Sequence, residues 1–452
     1  MGYIREDMGH ETELDNSLGI YIHIPFCISK CPYCDFNSYP LATVPEERYT
    51  SALLKELESR FKDECILTEK VVETIYIGGG TPSVIKSRHV KNILKEISGL
   101  FNLADDAEVT IEINPATVDI NKLNEYLKCG INRLSIGIQS FSDMTLKTLG
   151  RIHNAGDAVN TYEDARRVGF KNIGIDLIFG VPCQNIDMWV SDIEKAISIR
   201  PEHISIYGLT IEDGTEFHRM QKMGEITLPD EDSYILMYET AVRRLKEAGY
   251  DHYEISNFAI PDYYSRHNMR YWERLDYLGI GAGAHTCLCS ENVLLHLPAP
   301  HTNPLPLKAS HPNGLSAGQT TAKLTRFSSP FASHELVKVS DDGWGQRMWN
   351  EKDVSCYMDK IRRYGTAIDG IEKITKGEAI SECIFLGLRQ VRGIKGKEFY
   401  RRFGLFPEEM YHKVINELKT NGMIEAEGDD IRLTARGIAI SDTVFSAFFR
   451  MN

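Results

Sequence analysis

The sequence predicts an α/β fold: a partial barrel of six parallel strands, followed by a smaller helical, winged-helix-like unit. Three observations predict it. Six short β-branched runs between residues 20 and 210 alternate with segments of helical period, the signature of strand–helix repeats and a parallel sheet. Cysteine, glycine and charged motifs fall where those runs end, the place at which such barrels carry their sites. From about residue 287 the patterning collapses, and it resumes after residue 341 in a mainly helical form.

The first run, Ile20 to Ile24, alternates isoleucine with Tyr21 and His23 and is stopped by Pro25. Residues 46–61 then read as an amphipathic helix with Leu53, Leu54 and Leu57 on its apolar side. A second strand, beginning near Glu73, runs into Gly78-Gly79-Gly80-Thr81-Pro82. The pattern continues with a helix at 86–98, a strand at 108–114, a helix at 121–128 and a strand at 133–140. Helices at 144–149 and 158–168, a strand at 172–180, a helix at 188–199 and a strand at 203–210 complete the barrel. A helix at 233–248 leads to Tyr253-Glu-Ile-Ser256, to a loop carrying Arg266-His-Asn-Met-Arg-Tyr-Trp272, and to Gly281-Ala-Gly-Ala-His285. The domain plan is a polar tail over 1–17, the barrel over 18–286, an insertion over 287–341 and a C-terminal unit over 342–452.

With 42% hydrophobic and 25% charged residues, the chain of 452 residues belongs to the ordinary soluble globular class and has room for a sizeable core. No apolar run approaches the ~20 residues that a membrane helix needs. The tail has no apolar signal core. A net charge of −13 argues against nucleic acid as a partner, and the C-terminal unit has no basic excess to reverse that. Ten cysteines, of which only Cys27, Cys31 and Cys34 are tightly clustered, do not form a secreted disulfide framework and fit a reducing cytoplasm. Cys287 and Cys289 are the other close pair, readable as a metal site or as an incidental loop pair.

The triplet Cys27-x3-Cys31-x2-Cys34 follows the first strand directly. Three thiolates are one short of the four that close a structural zinc site or an ordinary four-iron cluster. On spacing alone, a zinc knuckle with a distant fourth ligand and three core cysteines stay open beside a cluster with one free iron. The strand and loop together, Tyr-x-His-x-Pro-Phe-Cys-x3-Cys-x2-Cys, resemble the cluster loop of the radical S-adenosylmethionine (SAM) superfamily, in the branch of the anaerobic coproporphyrinogen III oxidases and HemW. The resemblance implies a radical SAM partial (β/α)6 barrel, a [4Fe-4S] cluster on Cys27, Cys31 and Cys34, and SAM chelating the open iron. Cofactor chemistry would then come from cluster and SAM, while the protein supplies placement and shielding. An electron donor such as flavodoxin or ferredoxin is implied as a partner.

Glycines at a strand end let backbone approach a ligand closely, and Gly79, Gly80 and Thr81 match the family segment that receives the methionyl amino group. Glu112, Gln139, Arg151 and Asp176 each sit at a strand end or in the loop just after it, and each alone could be an ordinary salt-bridged or capped residue. Together they follow the family's order for SAM, carboxylates suiting ribose hydroxyls or the amino group and Arg151 suiting the carboxylate. Tyr21 and Tyr33 match SAM-contacting positions of the family.

The anaerobic coproporphyrinogen oxidases carry a fourth cysteine two residues past the third, where this chain has Phe36. His267-Asn268-x2-Tyr271-Trp272 instead resembles the segment typical of the HemW branch, whose members bind heme and pass it to haemoproteins. The resemblance implies heme as cargo. His267 offers an imidazole for iron, Tyr271 and Trp272 offer flat apolar surface, and His285 is a second candidate ligand. The alternative for His267 is a hydrogen-bonded structural histidine. Rival activities are oxidative decarboxylation of coproporphyrinogen III and SAM-dependent methylation.

Overall fold

Six parallel strands form the centre of the sheet, in chain order: β1 (Ser17–Ile24), β4 (Val71–Gly79), β5 (Asn102–Ile113), β6 (Arg133–Gln139), β7 (Asn172–Phe179) and β8 (His203–Gly208). The computed structural model describes residues 16–40, 45–63, 67, 69–289 and 343–449. Two strands of two residues, β2 (Phe26–Cys27) and β3 (Tyr39–Pro40), pair across the cysteine loop.

Alternation along the six strands separates two jobs. Ile22, Ile77, Ile111, Leu134 and Ile173 lie in register across five neighbouring strands, and all are buried beneath the helices. Full burial of each such side chain is worth about 1.5–3 kcal/mol, so this outer face carries much of the folding energy. The residues between them face the barrel: Glu112, Ser135 and His203 put polar side chains into one row in register, with Gly174 between the last two. The lumen is therefore a polar chamber inside an aliphatic shell.

The helices lie where their periodicity places them. They are α1 (Glu46–Asp63), α2 (Ser87–Leu100), α3 (Ile120–Lys128), α4 (Asp143–Thr148), α5 (Ala155–Val168) and α6 (Ile186–Ile199). Caps explain the ends. Asp119, Ser142 and Asn185 accept from the third residue of the helix that each opens, and Asn154 forms a reciprocal capping box with Asp157. That box starts α5 three residues before the expected 158.

After α7 (Glu216–Lys222) and α8 (Glu231–Glu247), β10 (Asn257–Ala259) extends one edge of the sheet antiparallel to β8, and β9 (Asp251–Glu254) pairs antiparallel to β10 beyond it. The segment expected to be a loop at 266–272 is a short helix, α9 (Arg266–Trp272), because Ser265 caps it by accepting from Asn268 N–H. On the other edge, β11 (Tyr277–Ile280) runs parallel to β1, followed by antiparallel β12 (His285–Leu288), β13 (Gln346–Asn350) and β14 (Ile368–Lys373).

Cys287 and Leu288 of β12 pair with Arg347 and Gln346 of β13, so the sheet runs into the segment assigned to the insertion. Residues 290–341 of that segment, and the tail up to residue 15, lie outside the described residues. Helix α10 (Val354–Tyr364) packs its Val354, Tyr357 and Ile361 into the barrel core, so the C-terminal unit starts later than the expected 342, with α11 (Lys376–Arg389), α12 (Gly396–Phe403) and α13 (Pro407–Thr420). A two-stranded wing, β15 (Ile424–Glu427) and β16 (Asp430–Leu433), and two short final helices complete it. Its core, with Ile380, Ile384, Phe399, Ile415 and Phe448, is separate from that of the barrel. No helix among the described residues is long and apolar enough to cross a membrane.

Candidate functional site

The carboxyl ends of the six strands and the cysteine loop enclose a cavity of about 370 Å³. Cys27, Cys31, Cys34, Tyr33, Gly79, Gly80, Thr81, Glu112, Gln139, Arg151 and Asp176 all line it. Of the twelve residues that the motifs single out for cluster and SAM, the fold brings eleven, from six separate segments, to one chamber, Tyr21 being the exception.

The loop is held from several sides. Cys34 N–H donates to Cys31 O at 3.1 Å, and Cys27 Sγ lies 3.5 Å from Thr81 Oγ1. Arg151 donates from one terminal nitrogen to Gly137 O at 3.0 Å and directs the other at Cys31 Sγ, 3.7 Å away, while its Nε is buried without a partner. Gly80 must be glycine, since a Cβ there would lie 2.9 Å from both Cys27 Sγ and Phe26 O. Gly150, at φ +66, leaves room for Pro32 of the loop, whose Cδ would stand 2.6 Å from an added Cβ. Three thiols and a glycine cradle fit a cluster bound at Cys27, Cys31 and Cys34. Burial raises the Cys34 thiol.

Beyond the loop the wall turns acidic. Glu112 accepts from Tyr76 Oη at 2.8 Å and from Gly79 N–H at 3.1 Å. Burial pushes its carboxyl up to about 7, with nearby Asp176 adding to the effect. Asp176 accepts from Ser135 Oγ at 3.1 Å and is likewise raised by burial. Gln139 sits at φ +68, just past a register shift between β6 and β7, and the irregular backbone re-aims its side chain at the cavity. Burial also raises Tyr33, which packs against Phe217.

Tyr21 is not on the wall. It lies deeper, its Oη 3.0 Å from His23 Nδ1 and its ring stacked on Tyr76 and His267. His267 is fully buried and both ring nitrogens are engaged: Nδ1 is 2.8 Å from Thr74 Oγ1 and Nε2 is 2.9 Å from Tyr271 Oη. Burial lowers its pKa to about 3, helped by Arg270 and Arg133, so the ring is neutral. In this arrangement His267 has the structural role that was the alternative reading. Its neighbour Asn268 reaches the cavity wall. Tyr271 packs edge-on against His267 and Tyr277, and Trp272 lies under the Arg389 guanidinium at 4.4 Å. His285 is exposed on β12 with Trp349 beside it, on the sheet extension and outside the cavity wall.

Reasoning from motifs missed Tyr76, Arg133, Ser135, His203, Ser205 and Tyr207, which also line the cavity. The signal was present, because they occupy the same alternating positions as Glu112 and Asp176. A larger groove of about 970 Å³ flanks α9, but it contains no cysteine and carries the ion pairs Arg270–Glu73 and Arg392–Glu273.

Comparison with known proteins gives concordant results. A family model described as the radical SAM superfamily matches residues 21–196, and one described as the HemN C-terminal domain matches residues 374–440. The heme chaperone HemW of Bacillus subtilis is 31% identical over 429 residues, covering 95% of this chain and 98% of the relative. The heme chaperone HemW of Escherichia coli is 42% identical over 269 residues, 59% of this chain and 69% of the relative. Coproporphyrinogen III oxidase (HemN) from Escherichia coli superimposes with a TM-score of 0.72, covering 98% of this chain and 94% of that one. At 19% identity, that likeness is one of fold.

Proposed function

Because the chain belongs to the HemW branch of the radical SAM superfamily, we propose that it is a heme chaperone, which takes up heme and delivers it to haemoproteins. The observation that carries this reading is Asn268: a residue of the His-Asn-x2-Tyr-Trp segment lies on the wall of the chamber that holds the three cysteines. Cargo segment and cofactor chamber adjoin.

In this reading Cys27, Cys31 and Cys34 hold a [4Fe-4S] cluster. Gly79, Gly80, Thr81, Glu112, Gln139, Arg151 and Asp176 receive SAM, with Tyr33 shielding the loop and Tyr21 supporting the floor. When bound, cluster and SAM supply one-electron reductive chemistry, drawing on a donor such as flavodoxin or ferredoxin. The chain's own contribution is placement. Arg151 offers a fixed cation for a carboxylate, Glu112 and Asp176 offer acceptors for amino and hydroxyl groups, and the aliphatic shell keeps bulk water from the chamber floor. A reducing compartment such as the cytosol suits three free thiols lining one cavity.

Heme is assigned to the α9 segment, with His267, Tyr271 and Trp272 as its candidate contacts and exposed His285 as the other imidazole. Iron ligation by His267 requires Thr74 and Tyr271 to release its ring. Phe36, where the decarboxylating enzymes resembled have cysteine, weighs against coproporphyrinogen as substrate.

The test supplies anaerobically reconstituted protein with heme, and separately with coproporphyrinogen III, SAM and reductant. Stoichiometric heme binding without protoporphyrinogen supports the reading. Turnover to protoporphyrinogen overturns it.

A further inference from the structure

We infer that Cys287 and Cys289 form a reversible dithiol–disulfide site at the joint between the barrel sheet and the C-terminal helices. The inference does not depend on heme as cargo. Cys287 lies on β12 and Cys289 just beyond its end, so the two side chains fall on the same side of the strand, and their sulfurs are 3.5 Å apart. Closure to a bonded distance requires about 1.5 Å of movement. Cys287 is buried and Cys289 is partly exposed, which makes Cys289 the sulfur that an incoming reagent meets.

The surroundings favour a thiolate at Cys289. Arg274 is 3% exposed; its Nε donates to Glu382 at 2.8 Å and one terminal nitrogen donates to Trp344 O at 3.0 Å. Its other terminal nitrogen is buried and has no hydrogen-bond partner. The hydrogen bond with Cys287 lowers the Cys289 thiol, and the charges of Arg274 and Arg402 lower it further against burial. Cys289 N–H donates to Asp276 Oδ1 at 2.5 Å, which fixes the backbone at this point. Among the described residues, no third sulfur, imidazole or carboxylate joins the two sulfurs within 4.8 Å, so the pair lacks the ligand set of a zinc site.

The oxidant is a small disulfide of the glutathione class. Cys289 thiolate attacks one of its sulfurs, the oxidant's S–S bond breaks, and one thiolate leaves with the electron pair. Cys287 then attacks Cys289 sulfur in the mixed disulfide, passing its proton to the departing second thiolate. Two protein thiols lose two electrons, and one disulfide becomes two thiols.

The experiment equilibrates the full, cluster-loaded chain in glutathione buffers of stepped potential, then traps free thiols with an alkylating agent and maps them by mass spectrometry. The expected result is loss of two hydrogens in the peptide carrying Cys287 and Cys289, reversed by dithiothreitol. C287S should stall as the mixed disulfide at Cys289, C289S should take up little glutathione at Cys287, and C383S should behave as the parent. Arg274→Lys, which keeps the charge, should slow alkylation of Cys289 less than Arg274→Gln does. Free alkylation of both thiols after oxidation, or a parent protein that also stops at the mixed disulfide, would overturn the inference.

Discussion

Asn350 donates a buried hydrogen bond of 2.6 Å to Glu56, across 294 positions of the chain. Glu56 also accepts from Tyr357 Oη at 2.6 Å and from Gly281 N–H at 3.0 Å. Helix α1 thereby holds residues from both sides of the segment between Cys289 and Gly343. Glu56→Ala leaves three buried donors without their acceptor and is expected to cost about 3 kcal/mol. Urea denaturation, with the midpoint moving to lower urea at unchanged slope, checks this. A midpoint equal to that of the parent would remove the clamp from the account.

The same clamp bears on residues 290–342. Leu288 already pairs with Gln346, so a short glycine-rich turn can join β12 to β13. Replacing the segment with such a turn is expected to raise stability by about 2 kcal/mol, since each halving of loop length recovers only about 0.6 kcal/mol of closure entropy. Iron and sulfide content should be kept after reconstitution. Loss of the cluster in a folded deletion variant would show that the segment contributes to the site.

Gly80→Ala tests the cradle. A methyl group 2.9 Å from Cys27 Sγ must displace that sulfur or the backbone beside it. Iron affinity should fall roughly tenfold while circular dichroism stays that of the parent. Cys31→Ala, with the barrel still folded, should lose the cluster outright; full iron and sulfide in that variant would sink the assignment.

Glu112 makes a pH-dependent prediction. Its folded-state carboxyl is raised to about 7 from an ordinary 4.5. The folded protein keeps this proton where the unfolded chain has lost it, so the contribution to stability is full below about pH 4.5 and is lost as pH rises through 7. Glu112→Gln should therefore stabilise the cofactor-free protein at pH 8 by about 1–2 kcal/mol, allowing for water at the cavity face. The gain should fade towards pH 5. Thermal melts at both values decide it, and equal shifts at both would mean that the carboxyl is not raised.

His267 and Tyr271 give the sharpest test of heme placement. Tyr271→Phe removes the partner of His267 Nε2 and should speed heme uptake if that nitrogen takes the iron. His267→Ala should weaken binding more than about tenfold, while His285→Ala should change it little. Unchanged affinity and Soret spectrum in the His267 variant would exclude ligation by it.

Much of this was legible in the sequence because local chemistry decides it. Alternation in Ile20-Tyr-Ile-His-Ile24 and Thr110-Ile-Glu-Ile113 marks strands and faces at once, and caps such as Asn154 and Asp119 fix helix starts. The radical SAM assignment rests on short motifs at strand ends, and the HemW assignment on the His-Asn-x2-Tyr-Trp segment of α9. What failed to show was tertiary. Nothing local says that His267 is wedged between Thr74 and Tyr271, whereas Ser265 is a local cap of the same kind as Asn154 and was overlooked. Cys287 read as part of a loop because its strand partner, Arg347, follows a long unpatterned stretch. Arg133 and His203 had the right alternation but no motif to draw attention to them.

The alternating strands also bear on how such a protein changes over generations. Ile111 and Leu134 hold the sheet to its helices, while Glu112 and Ser135, one position on, face the chamber. Mutations of the chamber lining leave the aliphatic layer complete, so lineages can alter the chemistry of the chamber without forfeiting the scaffold. Inheritance of form and exploration of chemistry are thus separated by a single residue step along each strand.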